Sequence, residues 1–190
     1  MNIHAPHPMT VDEFLRWSQQ QERGRYELEG GRVIEMSAQN ADHALTKVRV
    51  FSALATSIER SGVAFYAMPD GMTVRISGQR AYEPDALVAP LPRVAGASLE
   101  VPNPIAVFEV LSPTPSSIRR DTLTKVRGYE AVPSIQHYVI IDPQDRVVFR
   151  FRRLGAQLVA AEELTEGTLR LDPPGLELAV GDILLPVATD

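Results

Sequence analysis

Apolar and polar positions alternate along this chain in short, changing rhythms. In "MTVDEFLRW" (9 to 17), Thr10 with Glu13 three residues later reads as a capping box. Phe14, Leu15 and Trp17 then supply the apolar side of a short first helix. "RYELEGGRVIEMS" predicts a hairpin: Tyr26 and Leu28 share one face, Val33, Ile34 and Met36 follow, and Gly30-Gly31 make the tight turn. Leu45, Val48, Phe51, Leu54 and Ile58 mark the longest helix, capped by Asn40 or Asp42 and closed by Gly62.

Beyond it, "VAFYAM", "MTVRI" and "DALVA" predict strands separated by Pro, Asp and Gly. "PIAVFEVLS" is the most apolar segment and reads as a central strand buried on both faces. "SSIRRDTLTKVRGYEAV" predicts a helix with Leu123, Val126 and Tyr129 or Glu130 on successive turns. "IQHYVIID", "RVVFRFR", "AQLVAAEEL" and "TLRLD" predict late strands, the first two joined by the turn "DPQDR". This order is no regular βαβ alternation. It predicts an α/β fold of the mixed α+β kind, a mixed sheet flanked by helices with additional antiparallel strands at both ends.

Two acids break the pattern. Asp85 follows a proline at the start of "DALVA", and Glu109 interrupts "PIAVFEVLS" 24 positions later. A carboxylate within an apolar strand is costly to desolvate unless it is paired, hydrogen-bonded or bound to metal. A single such residue is usually a strand end or an arginine partner. Two of them on neighbouring strands could reach one divalent cation, and hard cations such as Mg2+ take oxygen ligands. In the helix that follows, Asp121, Lys125 and Tyr129 are spaced i, i+4, i+8 along one face. Such an Asp–Lys pair can be a solvated salt bridge; alternatively, the lysine can face a metal-bound phosphate. Pro69-Asp70-Gly71 reads as a plain turn, and Arg146, Arg150, Arg152 and Arg153 as a solvated strand face, with DNA contact the weaker reading.

Composition narrows the class. The 190 residues are 44% hydrophobic and 23% charged, which predicts one domain over 1–190 with a core of its own. The net charge of −5 leaves no molecule-wide basic field, so nucleic acid would need a local patch such as Arg119, Arg120, Lys125 and Arg127. The absence of cysteine removes disulfides and thiolate metal sites and suits a cytoplasmic setting. No apolar run approaches the roughly 20 residues that span a bilayer, and "MNIHAPHPMT" lacks the marks of a secretory signal.

Pro84-Asp85 followed by Glu109-Val110-Leu111 resembles the paired motif of the PD-(D/E)xK nuclease superfamily, the restriction-endonuclease-like fold. The wider ordered set "RYELEGGRVIEMS", "ADHALTKV", "PDALV", "FEVLSP", "D…K…Y" and "YVIIDP" resembles the Uma-type family of restriction-endonuclease-like proteins, from about residue 9 to 184. The resemblance implies Mg2+ or Mn2+ held by Asp85 and Glu109, with DNA as substrate, no small-molecule cofactor and a homodimer. It also implies site roles for Glu27 and His43, while Tyr129 would contact phosphate or shape the site. One departure stands out. The usual motif lysine, two residues after the acid, is Leu111 here; strand alternation puts 109 and 111 on one face, so a leucine there cannot serve the chemistry, and the resemblance implies that a lysine from the following helix, here Lys125, takes that role. His43 could otherwise be a capping or surface residue. The rival reading is a catalytically inactive binding or interaction module on the same fold, favoured by Leu111. A second rival is a metal-dependent hydrolase of RNA or small phosphate esters.

Overall fold

A computed structural model of the protein describes residues 2, 3, 7–112 and 124–186. Thirteen strands and four helices are found among them. The strands are β1 (Asn2–Ile3), β2 (Tyr26–Glu29), β3 (Arg32–Glu35), β4 (Phe65–Pro69), β5 (Val74–Ser77), β6 (Arg80–Tyr82), β7 (Ala86–Pro90), β8 (Ala106–Val110), β9 (His137–Asp142), β10 (Val147–Leu154), β11 (Gln157–Leu164), β12 (Thr168–Leu171) and β13 (Leu176–Ala179). The helices are α1 (Val11–Ser18), α2 (Ala41–Ser61), α3 (Val126–Glu130) and α4 (Val180–Ile183).

The central sheet has six strands in the order β11-β10-β9-β8-β7-β4. Only β8 and β9 run parallel; the other neighbours are antiparallel, so the sheet is mixed as expected. Strand β8 lies in its interior with all five residues buried. Alternation sends Ala106, Phe108 and Val110 to one face, where they pack with Val50 and Leu54 of α2, the hairpin β12–β13 and α4. Val107 and Leu111 point to the other face, against Val74, Ile76 and Tyr82 of the second sheet and Tyr129 of α3. That second sheet has the order β1-β3-β2-β6-β5. Helix α1 closes it through Val11 and Phe14 on Leu28, Val33 and Ala81.

Local chemistry explains several boundaries. Thr10 caps α1 with the full reciprocal box to Glu13. Gly30 and Gly31 have φ of 56° and 76°, the pair of positive angles that a two-residue hairpin turn requires. Asn40, not Asp42, caps α2 by accepting from the His43 N–H, and Gly62 ends it in the left-handed conformation at φ 65°.

Three expectations are corrected. The stripe through Leu45 and Val48 does not face the core: these residues are 53% and 62% exposed. The buried stripe of α2 is instead His43, Thr46, Lys47, Val50, Leu54 and Ser57. Its first half is polar because it covers the charged end of β7 and β8, so the expected stripe fails at Leu45 and Val48, while Leu54 and Ile58 of that stripe do pack on the core. Nor are all the late arginines a solvated face: Arg150 is buried, with Nη2 2.9 Å from Glu162 Oε1. Arg153 donates to the carbonyls of Ile135, Val132 and Glu130, tying β10 to the end of α3. Lys125, finally, is 2% exposed and cannot belong to a surface basic patch, whereas Arg127 is exposed. Arg119, Arg120, Asp121 and Leu123 lie outside the described residues.

Candidate active site

Strands β7 and β8 bring the two anomalous acids together. Their register pairs Ala86 with Phe108, and the Asp85 N–H donates to the Phe108 carbonyl at 2.9 Å. Asp85 and Glu109 therefore stand on adjacent strands at the same end of the pair. Both are buried, at 3% and 2% exposure. Each has protein partners that meet the desolvation cost.

Around Glu109 the partners come from α3 and β2. Lys125 Nζ lies 2.7 Å from Glu109 Oε1 and 3.0 Å from Glu27 Oε1. The Tyr129 hydroxyl donates to the same Glu109 oxygen at 2.7 Å. Glu27 is fully buried on β2, where its Oε1 also accepts from the Glu83 N–H at 3.0 Å. The four-residue spacing of Lys125 and Tyr129 directs both side chains at one carboxylate. Gly128 lets α3 approach the Tyr82 ring, which fills the space a Cβ would take. Leu111 follows Glu109 on the same face and is buried among apolar neighbours.

Around Asp85 the partners come from α2 and β8, and the β4–β5 turn reaches Lys47 from behind through Asp70. Asp85 Oδ2 accepts from the Val110 N–H at 2.7 Å, taking the ladder position that follows Ala86. Asp85 Oδ1 makes an ion pair with Lys47 Nζ at 2.9 Å but no hydrogen bond among the described residues. Lys47 Nζ also lies 2.5 Å from Asp70 Oδ2. Arg25 reaches Asp70 Oδ2 at 3.1 Å and Glu83 Oε1 at 2.7 Å. Burial works against the Arg25 charge, but Glu83, Asp70 and Asp85 outweigh it, and its pKa rises. His43 Nε2 is 2.7 Å from the Val110 carbonyl and so carries the proton there; it lies 3.9 Å from Asp85 Oδ2. Burial lowers the His43 pKa more than Asp85 raises it, which favours the neutral ring.

Asp85 Oδ1 is a buried oxygen that accepts no hydrogen bond among the described residues, while Lys47 and Lys125 supply the positive charge beside Asp85 and Glu109. In the Asp85 group, three carboxylates (Asp70, Glu83, Asp85) face two cations (Lys47, Arg25). Oxygen donors of this kind suit a hard divalent ion. Among the described residues, no three His, Asp or Glu side chains gather as a ready ligand set.

A family model described as "Putative restriction endonuclease", Uma2, matches residues 11–186. The chain belongs to the Uma2 family. Its fold matches the crystal structure of a "putative nuclease belonging to DUF820" from Anabaena variabilis, with a TM-score of 0.68 and 20% identity over 93% of this chain and 97% of that one. At that identity the likeness concerns the fold. The search of curated proteins found no match.

Of the residues proposed for this Uma2 chain from its sequence, Glu27, Glu109, Lys125 and Tyr129 form one contact cluster, and Asp85 and His43 a second beside it. The sequence reading missed Lys47, Arg25, Glu83 and Gln39, and dismissed Asp70 as a turn residue. Lys47 carried a usable signal. It stands four residues after His43, so a helix that buries the histidine must bury the lysine too. Asp70 carried none, because its partner is 23 residues away in sequence.

Proposed function

We propose that the protein hydrolyses DNA phosphodiester bonds in a divalent-metal-dependent reaction centred on Asp85 and Glu109. Membership of a family described as restriction endonucleases supports the reaction class. The observation that carries the residue assignment is Lys125 Nζ standing 2.7 Å from Glu109 Oε1, an ammonium from the next helix where Leu111 occupies the usual lysine position. Mg2+ or Mn2+ bound there would polarise a phosphoryl oxygen and lower the pKa of water. Asp85 and Glu109 would hold it through their carboxylates.

The chain's own groups do the rest. Lys125 places a fixed positive charge where negative charge builds on phosphorus. Tyr129, fully buried, acts through Glu109 by orienting its carboxylate. Glu27 positions Lys125 from the opposite side. His43 holds the Val110 carbonyl and with it the end of β8. The reading includes a homodimer whose two-fold doubles the sites on one duplex. It also includes a cytoplasmic setting, consistent with the absence of cysteine.

A catalytically inactive binding module is the second reading. Leu111 favours it, as do the two lysines, each already paired with one of the acids. Plasmid DNA incubated with purified protein and Mg2+ or Mn2+, with and without chelator, separates the two. Cleavage that needs metal and disappears in Asp85→Asn with its circular dichroism unchanged is the expected result. Metal-independent cleavage, or an active Asn variant, contradicts the mechanism; binding without cleavage favours the module. Gel filtration with light scattering tests the dimer.

A further inference from the structure

Lys47 is the charged residue that the proposed mechanism leaves unexplained. It sits on the buried face of α2, 6% exposed, where a lysine needs a specific reason. Its ammonium has acceptors on two sides. Toward the site, it lies 2.9 Å from Asp85 Oδ1. Away from it lie Asp70 Oδ2 at 2.5 Å and, once the Gln39 amide is assigned by its hydrogen bonds with the oxygen toward the cations, that oxygen at 2.7 Å. Arg25 braces the outer pair: Nη1 is 2.5 Å from the same Gln39 oxygen and 3.1 Å from Asp70 Oδ2.

A lysine has three ammonium donors on a flexible four-carbon stem. Lys47 can therefore release Asp85 and still keep two acceptors, so the move strands no buried charge. Asp85 gains in turn: with Val110 N–H holding Oδ2, its Oδ1 becomes the oxygen open to another cation.

We propose that Lys47 is a positioning residue that serves as the resident cation of Asp85 and yields that carboxylate to a divalent metal by letting go of Asp85 while keeping Asp70 and Gln39, which it already contacts. This rests on the reading that Asp85 binds metal. Asp70 is then a docking carboxylate that sets how readily Lys47 withdraws. Lys47 lowers the affinity for metal and keeps Asp85 compensated while no metal is bound. After the exchange, the ammonium stands beside the metal as a second positive charge, in addition to Lys125.

The test is Mn2+ binding to the full chain, followed by electron paramagnetic resonance of the free ion. Lys47→Met should bind Mn2+ about tenfold tighter than wild type, the scale of one charge-assisted contact no longer displaced. Asp70→Asn, a change at a partly exposed residue that the fold should tolerate, should bind several-fold weaker. Simple field effects would give those two signs as well, so the double variant decides. If Asp70 acts through Lys47, then Lys47→Met/Asp70→Asn binds like Lys47→Met alone. Additive effects in the double variant overturn the exchange, as does an Asp70→Asn protein that binds as tightly as wild type. If Lys47→Met does not fold, Lys47→Gln takes its place in the same cycle. Asp85→Asn separates the layers: unchanged Mn2+ affinity there removes the metal reading itself. Weakened affinity there, with additive Lys47 and Asp70 effects, removes only the exchange.

Discussion

Gly128→Ala sets two effects of opposite sign against each other. By helix propensity, alanine should stabilise α3 by about 0.5–1 kcal/mol. Packing argues otherwise. A Cβ at this position would lie 2.4 Å from Tyr82 Cε2, 2.8 Å from its hydroxyl oxygen and 3.0 Å from Cζ. The ring has little room to retreat. Tyr82 is 1% exposed, donates to Glu29 Oε2 at 2.6 Å and meets the Tyr129 ring edge-on with centroids 5.4 Å apart. Burial, and then the Glu29 contact, push the Tyr82 phenol well above its ordinary pKa, so the donor persists across the working range. Overpacking of this kind costs about 1–3 kcal/mol, and an approach as close as 2.4 Å falls in the upper part of that range. The sum predicts that Gly128→Ala destabilises by about 1–2 kcal/mol, read as a lower urea midpoint in far-UV circular dichroism. The strain would be relieved by moving α3, which carries Lys125 and Tyr129, so DNA cleavage should fall by more than stability alone explains. Tyr82→Leu in the same protein should remove the obstacle and make the double variant's cost smaller than the sum of the singles. A Gly128→Ala protein as stable as wild type would refute this close-approach argument.

His137 gives a pH test. Burial first, then Arg150 and Arg152, lower its pKa to about 4 against the contribution of the Pro173 carbonyl. The unfolded chain then takes up the proton first as pH falls. Stability from neutral His137 is complete above about pH 6.5 and is lost toward pH 4, by about 3 kcal/mol over that window. In His137→Gln, urea titrations should show a shallower acid loss; parallel wild-type and variant curves would count against the buried neutral ring. Leu45→Gln should change stability by no more than about 0.5 kcal/mol, whereas Leu54→Ala should cost about 2–5 kcal/mol, in thermal denaturation of the two variants side by side. Asn40→Ala removes the cap on the His43 N–H and should cost about 1 kcal/mol in the same assay.

The parts of the molecule that could be read in the chain are those whose cause is local. Thr10 with Glu13 and Gly30 with Gly31 act over three residues or fewer, and their elements appear as expected. Glu109 could be singled out because one acid in an apolar central strand has few cheap explanations. Longer-range causes were hidden. Strand β6 has three residues and forms only because Leu28 and Val74 pair with it from both sides. Helix α2 has two overlapping stripes with helical spacing, and the one with His43 and Lys47 turns inward together with Val50 and Leu54, beside the Asp85 carboxylate. Arg150 looked solvated because its partner Glu162 is fixed by the β10–β11 register rather than by neighbours in sequence. Asp70 looked like a turn because Lys47 reaches it only once α2 packs over β4 and β7.

A crystal soaked in Mn2+, measured at the manganese absorption edge, tests the central claim most directly. The account predicts one anomalous peak with oxygens of Asp85 and Glu109 about 2.1 Å away, a distance typical of small octahedral divalent ions, and with Lys47 Nζ moved off Asp85 toward Asp70. Manganese bound elsewhere, with Lys47 still on Asp85, would contradict it.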